Sequence, residues 1–255
     1  MLDKPMLNHS IQIARVFGIP IRVRVLLIIL LPVFATMYSS DFVFGLLLVI
    51  GVFTSVALHE LGHSVVAIKK GCHVQEIVLT PIGGVAKMIN IPSKPMDEFL
   101  IAIGGPAVSL VLGILGILSP IPLLFILGVI NLVLFGFNLL PCFPMDGGRV
   151  FRALLAHHKG RLPATRIAAT VGKYFSILFV IVGLMRFNLL LAFIGFYIYR
   201  AGQQEYRMVM MEHQAAPFSG HRDPQMDVEV SPPPYAESGG GHGSLRDRLR
   251  GLFRR

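Results

Sequence analysis

Residues 99–145 have the sequence FLIAIGGPAVSLVLGILGILSPIPLLFILGVINLVLFGFNLLPCFPM, which contains no Asp, Glu, Lys or Arg over 47 positions. A membrane-spanning helix needs about 20 apolar residues, so this stretch alone is long enough for two crossings. The whole chain of 255 residues is 54% hydrophobic and only 15% charged, with a mean hydropathy of +0.68. These values lie outside the soluble range, so they predict an integral membrane protein and exclude a soluble enzyme.

The chain contains six apolar runs, two of which lie within this stretch. They are residues 25–40, 42–68, 99–119, 120–140, 167–185 and 187–199. They predict an all-α polytopic membrane protein with about six transmembrane helices. The last two runs have uncharged stretches of only 12 and 13 residues, so Lys173 and Arg200 would have to extend their side chains to the interface. A re-entrant pair is the alternative for these two runs.

Composition divides the chain into three parts. Residues 1–24 contain an alternating segment broken by a Gly and a Pro, which predicts a small hairpin at the membrane surface. Residues 25–202 form the membrane core, and residues 203–255 form a polar tail that we expect to be largely disordered and cytoplasmic. At residues 244–255, leucines on one helical face and arginines on the rest predict either an amphipathic helix on anionic lipid or a solvated basic end.

Basic residues concentrate on one side of this topology. Of the 16 Lys and Arg in residues 1–202, all but Arg186 lie on the side that also holds both termini. Cytoplasmic loops collect basic residues, so we expect both termini in the cytoplasm. The net charge of +9 is explained by orientation, and no nucleic-acid partner is expected. Cys72 and Cys142 lie on the same side, where thiols stay reduced, so no disulfide is expected.

The motif HELGH at residues 59–63 carries the first chemical signal. His59 and His63 are four residues apart, so their side chains share one helix face and can bind a single metal ion. Imidazole at this spacing suits Zn²⁺, and Glu60 can accept a proton from a water activated by the metal. The alternative is a set of helix-end residues at the interface. The preceding run is fully apolar, however, and polar groups there are costly unless they are paired or metal-bound.

A third ligand is required because catalytic zinc usually has three protein ligands and one open position. Asp146 is the candidate, since it ends the uncharged stretch of residues 99–145. The predicted topology also places the inner ends of the second and fourth runs at similar depth. The alternative is a helix cap or a turn beside Gly147 and Gly148.

Together these motifs resemble the site-2 protease family of intramembrane zinc metalloproteases, peptidase family M50. The resemblance covers residues 17–199 and rests on HELGH, on PIGGVA at 81–86, on GGP at 104–106, and on NLLP at 138–141 followed by Asp146-Gly147. Ser109 stands where family members often have Asn, so a polar role there falls to a hydroxyl. Neither an inserted PDZ module nor a CBS pair is recognisable, and in this respect the chain resembles the compact prokaryotic members of the family.

The resemblance implies one Zn²⁺ per chain, held by His59, His63 and Asp146, with Glu60 as the general base. It also implies cleavage in or near the transmembrane segment of a single-span or membrane-associated protein, as in relatives that release transcription regulators. The expected location is the bacterial cell membrane, with the active site towards the cytoplasm. The Asn at the position of Asn138 is thought to orient substrate or intermediate in relatives; the alternative is an interhelical hydrogen bond.

A helical substrate must unwind before its peptide bond can be attacked, and a strand edge would hold it extended. The β-prone segment around Gly83, Gly84 and Val85 offers such an edge. The alternative is a surface hairpin that only packs.

Two other functions remain open. A zinc or ion transporter predicts ionisable groups along a path through the bilayer. A catalytically silent, zinc-stabilised membrane adaptor would have no use for Glu60.

Overall fold

A computed structural model describes residues 9–90 and 94–219 of the chain. The elements below belong to the compact unit Met1–Gln214, apart from the end of the last helix, which enters the second unit, Ala215–Arg255. The predicted amphipathic helix at residues 244–255 lies outside the described residues.

The described residues form four strands and seven helices. The strands are β1 (Ser10–Val16), β2 (Ile19–Arg24), β3 (His73–Thr80) and β4 (Gly83–Ile89). The helices are α1 (Val25–Tyr38), α2 (Phe42–Lys69), α3 (Pro95–Ile117), α4 (Pro122–Asn138), α5 (Asp146–Lys159), α6 (Arg161–Met185) and α7 (Leu189–Ser219).

The helix starts follow ordinary capping chemistry. Asp41 caps α2, because its Oδ1 accepts hydrogen bonds from the backbone N–H groups of Val43 (2.9 Å) and Phe44 (3.2 Å). Pro95 and Pro122 are the first residues of α3 and α4, where the missing N–H of proline loses no hydrogen bond.

Two predicted hairpins are present, and the structure joins them into one sheet of order β1-β2-β3-β4. β1 and β2 are antiparallel, as are β3 and β4, while β2 and β3 pair in parallel with Ile21 opposite Ile77. Ile21 and Ile77 belong to a buried apolar cluster that also includes Ala67 of α2. The sheet therefore packs against the helix that carries HELGH.

Three helices are long and apolar enough to cross a membrane, namely α2, α3 and α6, with 28, 23 and 25 residues. Helices α1 and α4 are apolar but shorter. The prediction of a mostly helical membrane protein is confirmed. Six crossings remain a prediction, because these three are the candidates found within residues 9–90 and 94–219.

Two helical segments differ from the pattern of apolar runs. Helix α5 lies between the fourth and fifth runs and is amphipathic, so a search for apolar runs passes over it. Helix α7 continues from Leu189 through residue 202 to Ser219, so the composition change at 202 does not coincide with the end of a helix.

Helices α2 and α3 pack at close distance through glycine. A Cβ added to Gly62 would lie 2.5 Å from the carbonyl oxygen of Gly104, and one added to Gly104 would lie 2.8 Å from that of Gly62. Larger residues would separate the two backbones. The close approach brings the side chains of α3 against the face of α2 that carries the histidines.

Candidate metal centre

Three predicted ligand atoms meet in the structure. Asp146 Oδ2 lies 3.2 Å from His59 Nε2 and 3.1 Å from His63 Nε2, and the two Nε2 atoms are 3.2 Å apart. Zn–N bonds of 2.0–2.1 Å in a tetrahedron separate neighbouring ligand atoms by about 3.3 Å. The triangle therefore has the dimensions of three ligands around one zinc-sized ion.

The histidines reach this triangle because they are one helical turn apart on α2 and face the interior. Each histidine is 4% exposed, and each Nδ1 has a partner on α3. His63 Nδ1 donates to the carbonyl oxygen of Ile101 at 2.7 Å, and His59 Nδ1 lies 2.8 Å from Ser109 Oγ. A carbonyl can only accept, so the Ile101 contact requires the proton of neutral His63 on Nδ1 and leaves its Nε2 lone pair for the triangle. The Ser109 contact orients the His59 ring so that its Nε2 also faces the triangle.

Gly105 of α3 keeps the space between the rings open. A Cβ at this position would lie 2.3 Å from His63 Nε2 and 2.6 Å from His59 Nε2. The GGP segment at 104–106 was not expected to lie at the metal centre. The space that a Cβ would fill is faced by the two Nε2 atoms and can accommodate a single metal ion.

Asp146 enters the cluster from the first turn of α5. The cap of this helix is Met145, and the side chain of the next residue, Asp146, directs Oδ2 to both histidines. The carboxylate of Asp146 supplies the one anionic group among the three ligands, beside two neutral imidazoles.

The loop before Asp146 packs tightly on α5. A Cβ on Gly147 would lie 2.3 Å from the Leu139 carbonyl oxygen, and one on Gly148 would lie 2.6 Å from the carbonyl carbon of Cys142. The glycines thus allow the loop to fold over the start of the helix. Cys142 is buried and free, in accord with the predicted absence of a disulfide at this residue.

Glu60 faces the sheet beside the cluster. Its Oε2 accepts a hydrogen bond from the Ala86 backbone N–H at 3.2 Å. A Cβ on Gly84 would lie 2.7 Å from Glu60 Cγ, so a glycine is needed for β4 to approach this closely. The side chain is held at the junction between α2 and the sheet.

β4 is an outer strand of the sheet, and its open side faces Glu60. Since the Ala86 N–H points to Glu60, the alternation of an antiparallel ladder turns the backbone groups of Gly84 and Ala86 outward. The same alternation turns Gly83 and Val85 towards β3. Of the three residues suggested for strand pairing, Gly84 is the one whose backbone N–H and C=O face away from β3.

Asn138 is the last residue of α4 and is half-buried. Within the described residues, no hydrogen bond joins it to the three-ligand cluster. The Ile101 carbonyl could not be predicted as a partner of His63, because a backbone acceptor carries no sequence signal. Ser109 did carry one, since it occupies a position where relatives often have a polar side chain.

Residues 47–121 and 116–183 match the sequence profile of peptidase family M50. The chain belongs to peptidase family M50. Among solved structures, the site-2 protease from Methanocaldococcus jannaschii is similar to this M50 chain with a TM-score of 0.58 and 39% identity. That similarity covers 78% of this chain and 95% of the other, and it confirms the predicted resemblance.

Curated sequences agree with the M50 assignment. A zinc metalloprotease of Methanocaldococcus jannaschii is 40% identical over 216 residues, covering 81% of this chain and 63% of that protein. Stage IV sporulation protein FB of Bacillus subtilis is 28% identical over 108 residues, covering 40% of this chain and 38% of its own length. The chain therefore spans less than two thirds of the length of these relatives.

Proposed function

We propose that this M50 member is a zinc-dependent intramembrane endopeptidase. Its substrate would be a single-span or membrane-associated protein, cut in or near the membrane segment. The observation that carries the proposal is the triangle of His59 Nε2, His63 Nε2 and Asp146 Oδ2, with Glu60 one residue after the first ligand. The name of the zinc metalloprotease from M. jannaschii supports zinc as the metal.

The ligand residues and Glu60 would have different roles in peptide hydrolysis. His59, His63 and Asp146 would hold the zinc, which when bound supplies Lewis acidity to the attacking water and to the substrate carbonyl. Glu60 accepts the proton of the attacking water and returns it to the leaving amine. Burial of the cluster strengthens these charge interactions because little water screens them.

The substrate segment would lie extended along β4. The outward backbone groups of Gly84 and the outward carbonyl of Ala86 would supply hydrogen bonds for strand addition beside Glu60, which itself accepts the Ala86 N–H, while Gly83 and Val85 face β3. Asn138, on the inner end of α4, would orient the substrate or the tetrahedral intermediate, as the family resemblance implies.

The location that we propose is the bacterial cell membrane, with both termini and the site on the cytoplasmic side. The distribution of Lys and Arg supports this orientation. Release of a transcription regulator is the proposed role, and residues 244–255 would bind anionic lipid.

The placement of ionisable groups favours the peptidase over a transporter. In the candidate spans α2 and α3 the Asp, Glu, His and Lys side chains lie in the second half of α2 and at the first turn of α3, and in α6 the Lys and Arg side chains lie from the first residue to the middle one, Lys173. A transport path would distribute them across the bilayer. Glu60 in turn distinguishes the peptidase from an adaptor, because a purely structural zinc site needs no base.

Cleavage by the purified full chain tests the proposal. Tagged single-span proteins are incubated with the wild type, Glu60→Gln and Asp146→Ala, and bound zinc is measured on each. We expect Glu60→Gln to keep zinc and stop cleaving, and Asp146→Ala to lose both. Glu76→Gln is the matched control, since Glu76 pairs with Arg22 and Lys87 on the sheet, and it should cleave normally. Wild-type cleavage by Glu60→Gln would overturn the mechanism.

A further inference from the structure

A buried arginine lies on the same helix as the metal ligand Asp146. Arg152 of α5 is 2% exposed, and its Nε donates to Glu98 Oε1 at 2.8 Å. One terminal nitrogen also contacts Glu98, and the other contacts Glu205 of α7. An isolated buried guanidinium is strongly unfavourable, so these carboxylates are what allow Arg152 to stay inside.

Arg152 also contacts the loop that leads to Asp146. Its guanidinium carbon lies 5.1 Å from the centre of the Phe143 ring, a cation–π distance. Phe143 is 3% exposed and precedes the ligand by three residues. The guanidinium of Arg152 therefore contacts both the loop before Asp146 and the two carboxylates.

The two carboxylates come from different parts of the fold. Glu98 lies in the first turn of α3, the helix whose Ser109 and Ile101 hold the histidine rings. Glu205 lies beyond residue 183, where the match to the family profile ends. Arg152 thus connects the helix behind the histidines, the helix carrying the third ligand, and a helix that the family profile does not include.

We propose that Arg152 is a positioning residue for Asp146, and that Glu205 completes its ion pairs, so that metal affinity depends on the docking of α7. The proposal rests on the metal site of the proposed function. Residues that orient a metal ligand commonly change metal affinity by about 10- to 100-fold when altered. Coupling between two sites is reciprocal, so the bound metal should in turn hold α7 more firmly against α5.

Metal titration of the apo full chain tests this without any substrate. Zn²⁺ affinity is measured by competition with a chromophoric chelator, and the Co²⁺ absorption spectrum reports the geometry at the site. We expect Arg152→Lys and Glu205→Gln to weaken Zn²⁺ binding by about tenfold or more and to alter the Co²⁺ spectrum. Hydrogen exchange of residues 200–214 should slow on adding Zn²⁺ to the wild type, and slow less in Glu205→Gln.

The same helix supplies a matched control. Glu212 of α7 pairs with Arg161 at 3.0 Å, and both side chains are exposed, 60% and 41%. Glu212→Gln removes an ion pair from α7 without touching Arg152, so it should leave Zn²⁺ affinity unchanged. Glu205 is partly exposed, which makes Glu205→Gln informative even if Arg152→Lys does not fold.

The outcomes separate this inference from the proposed function. If the wild type binds Zn²⁺ and the folded Glu205→Gln variant binds it equally well, with an unchanged Co²⁺ spectrum, the inference is wrong and the peptidase proposal stands. A loss of affinity no larger than that in Glu212→Gln overturns it in the same way. A wild type that binds no Zn²⁺ contradicts both.

Discussion

Ser109 Oγ lies 2.8 Å from His59 Nδ1, although the two residues are fifty positions apart in the chain. Ser109 is fully buried. Its hydroxyl can accept a hydrogen bond from Nδ1, and the contact orients the ring so that Nε2 faces the metal position.

Removing this hydroxyl should weaken metal binding. We expect Ser109→Ala to lower Zn²⁺ affinity by about tenfold, because the His59 ring loses the hydrogen-bond partner that orients it. Equilibrium titration of the apo-protein measures the change. Ser176→Ala, a buried serine on α6, is the control and should bind Zn²⁺ as the wild type does. Equal affinities for both variants would show that Ser109 does not orient His59.

A methyl group at position 105 should abolish metal binding. The Cβ of Gly105→Ala would lie 2.3 Å from His63 Nε2, within the space that the metal ion needs. Zinc analysis of the purified variant should find no bound metal. Gly136→Ala places a methyl on α4 where nothing lies within 4 Å, and this variant should retain its zinc. Stoichiometric zinc in Gly105→Ala would contradict the proposed position of the ion.

A polar contact in the helical core should couple two helices. Asn131 of α4 is 2% exposed, and its Nδ2 donates to Ser55 Oγ of α2 at 2.9 Å and to the Leu127 carbonyl at 2.8 Å. Hydrogen bonds of this type in membranes contribute about 0.6 kcal/mol on average. A double-mutant cycle of Asn131→Ala and Ser55→Ala, measured by unfolding in mixed micelles, should give a coupling of about this size. Strictly additive effects would argue that the contact contributes nothing.

The Cys142 thiol should be unreactive in the folded protein. Burial raises its pKa to about 11, and the side chain is fully buried. Because the pKa is raised, only about one thiol in a thousand is ionised at pH 8. In a Cys72→Ser background, maleimide should label Cys142 slowly at pH 8 and at an ordinary rate once the chain is unfolded. Fast labelling of the folded chain would show that the loop before Asp146 opens.

Local patterns made the ligand residues predictable. The four-residue spacing of His59 and His63 gives one helix face in any context, and Asp146 stands out as the charge that ends a long apolar stretch. Both hairpins follow from alternation and turn residues, such as the Phe17-Gly18 turn, where both φ angles are positive.

Other features arise only from tertiary contact. The parallel pairing of Ile21 with Ile77 joins segments more than fifty residues apart, and nothing in either strand specifies its partner. Helix α5 is amphipathic, so a search for long apolar runs does not find it. The ion pairs of Arg152 depend on three helices meeting, and the role of Gly105 depends on what lies opposite its missing Cβ.

The parallel contact between β2 and β3 also determines how far the chain can be shortened. The family match begins at residue 47, yet a fragment starting there would lack two of the four strands. It would leave Ile77, now fully covered, without its neighbours Ile19 and Ile21. A truncation series should therefore reach its limit ahead of Ile19, where β2 begins, and so well before residue 47.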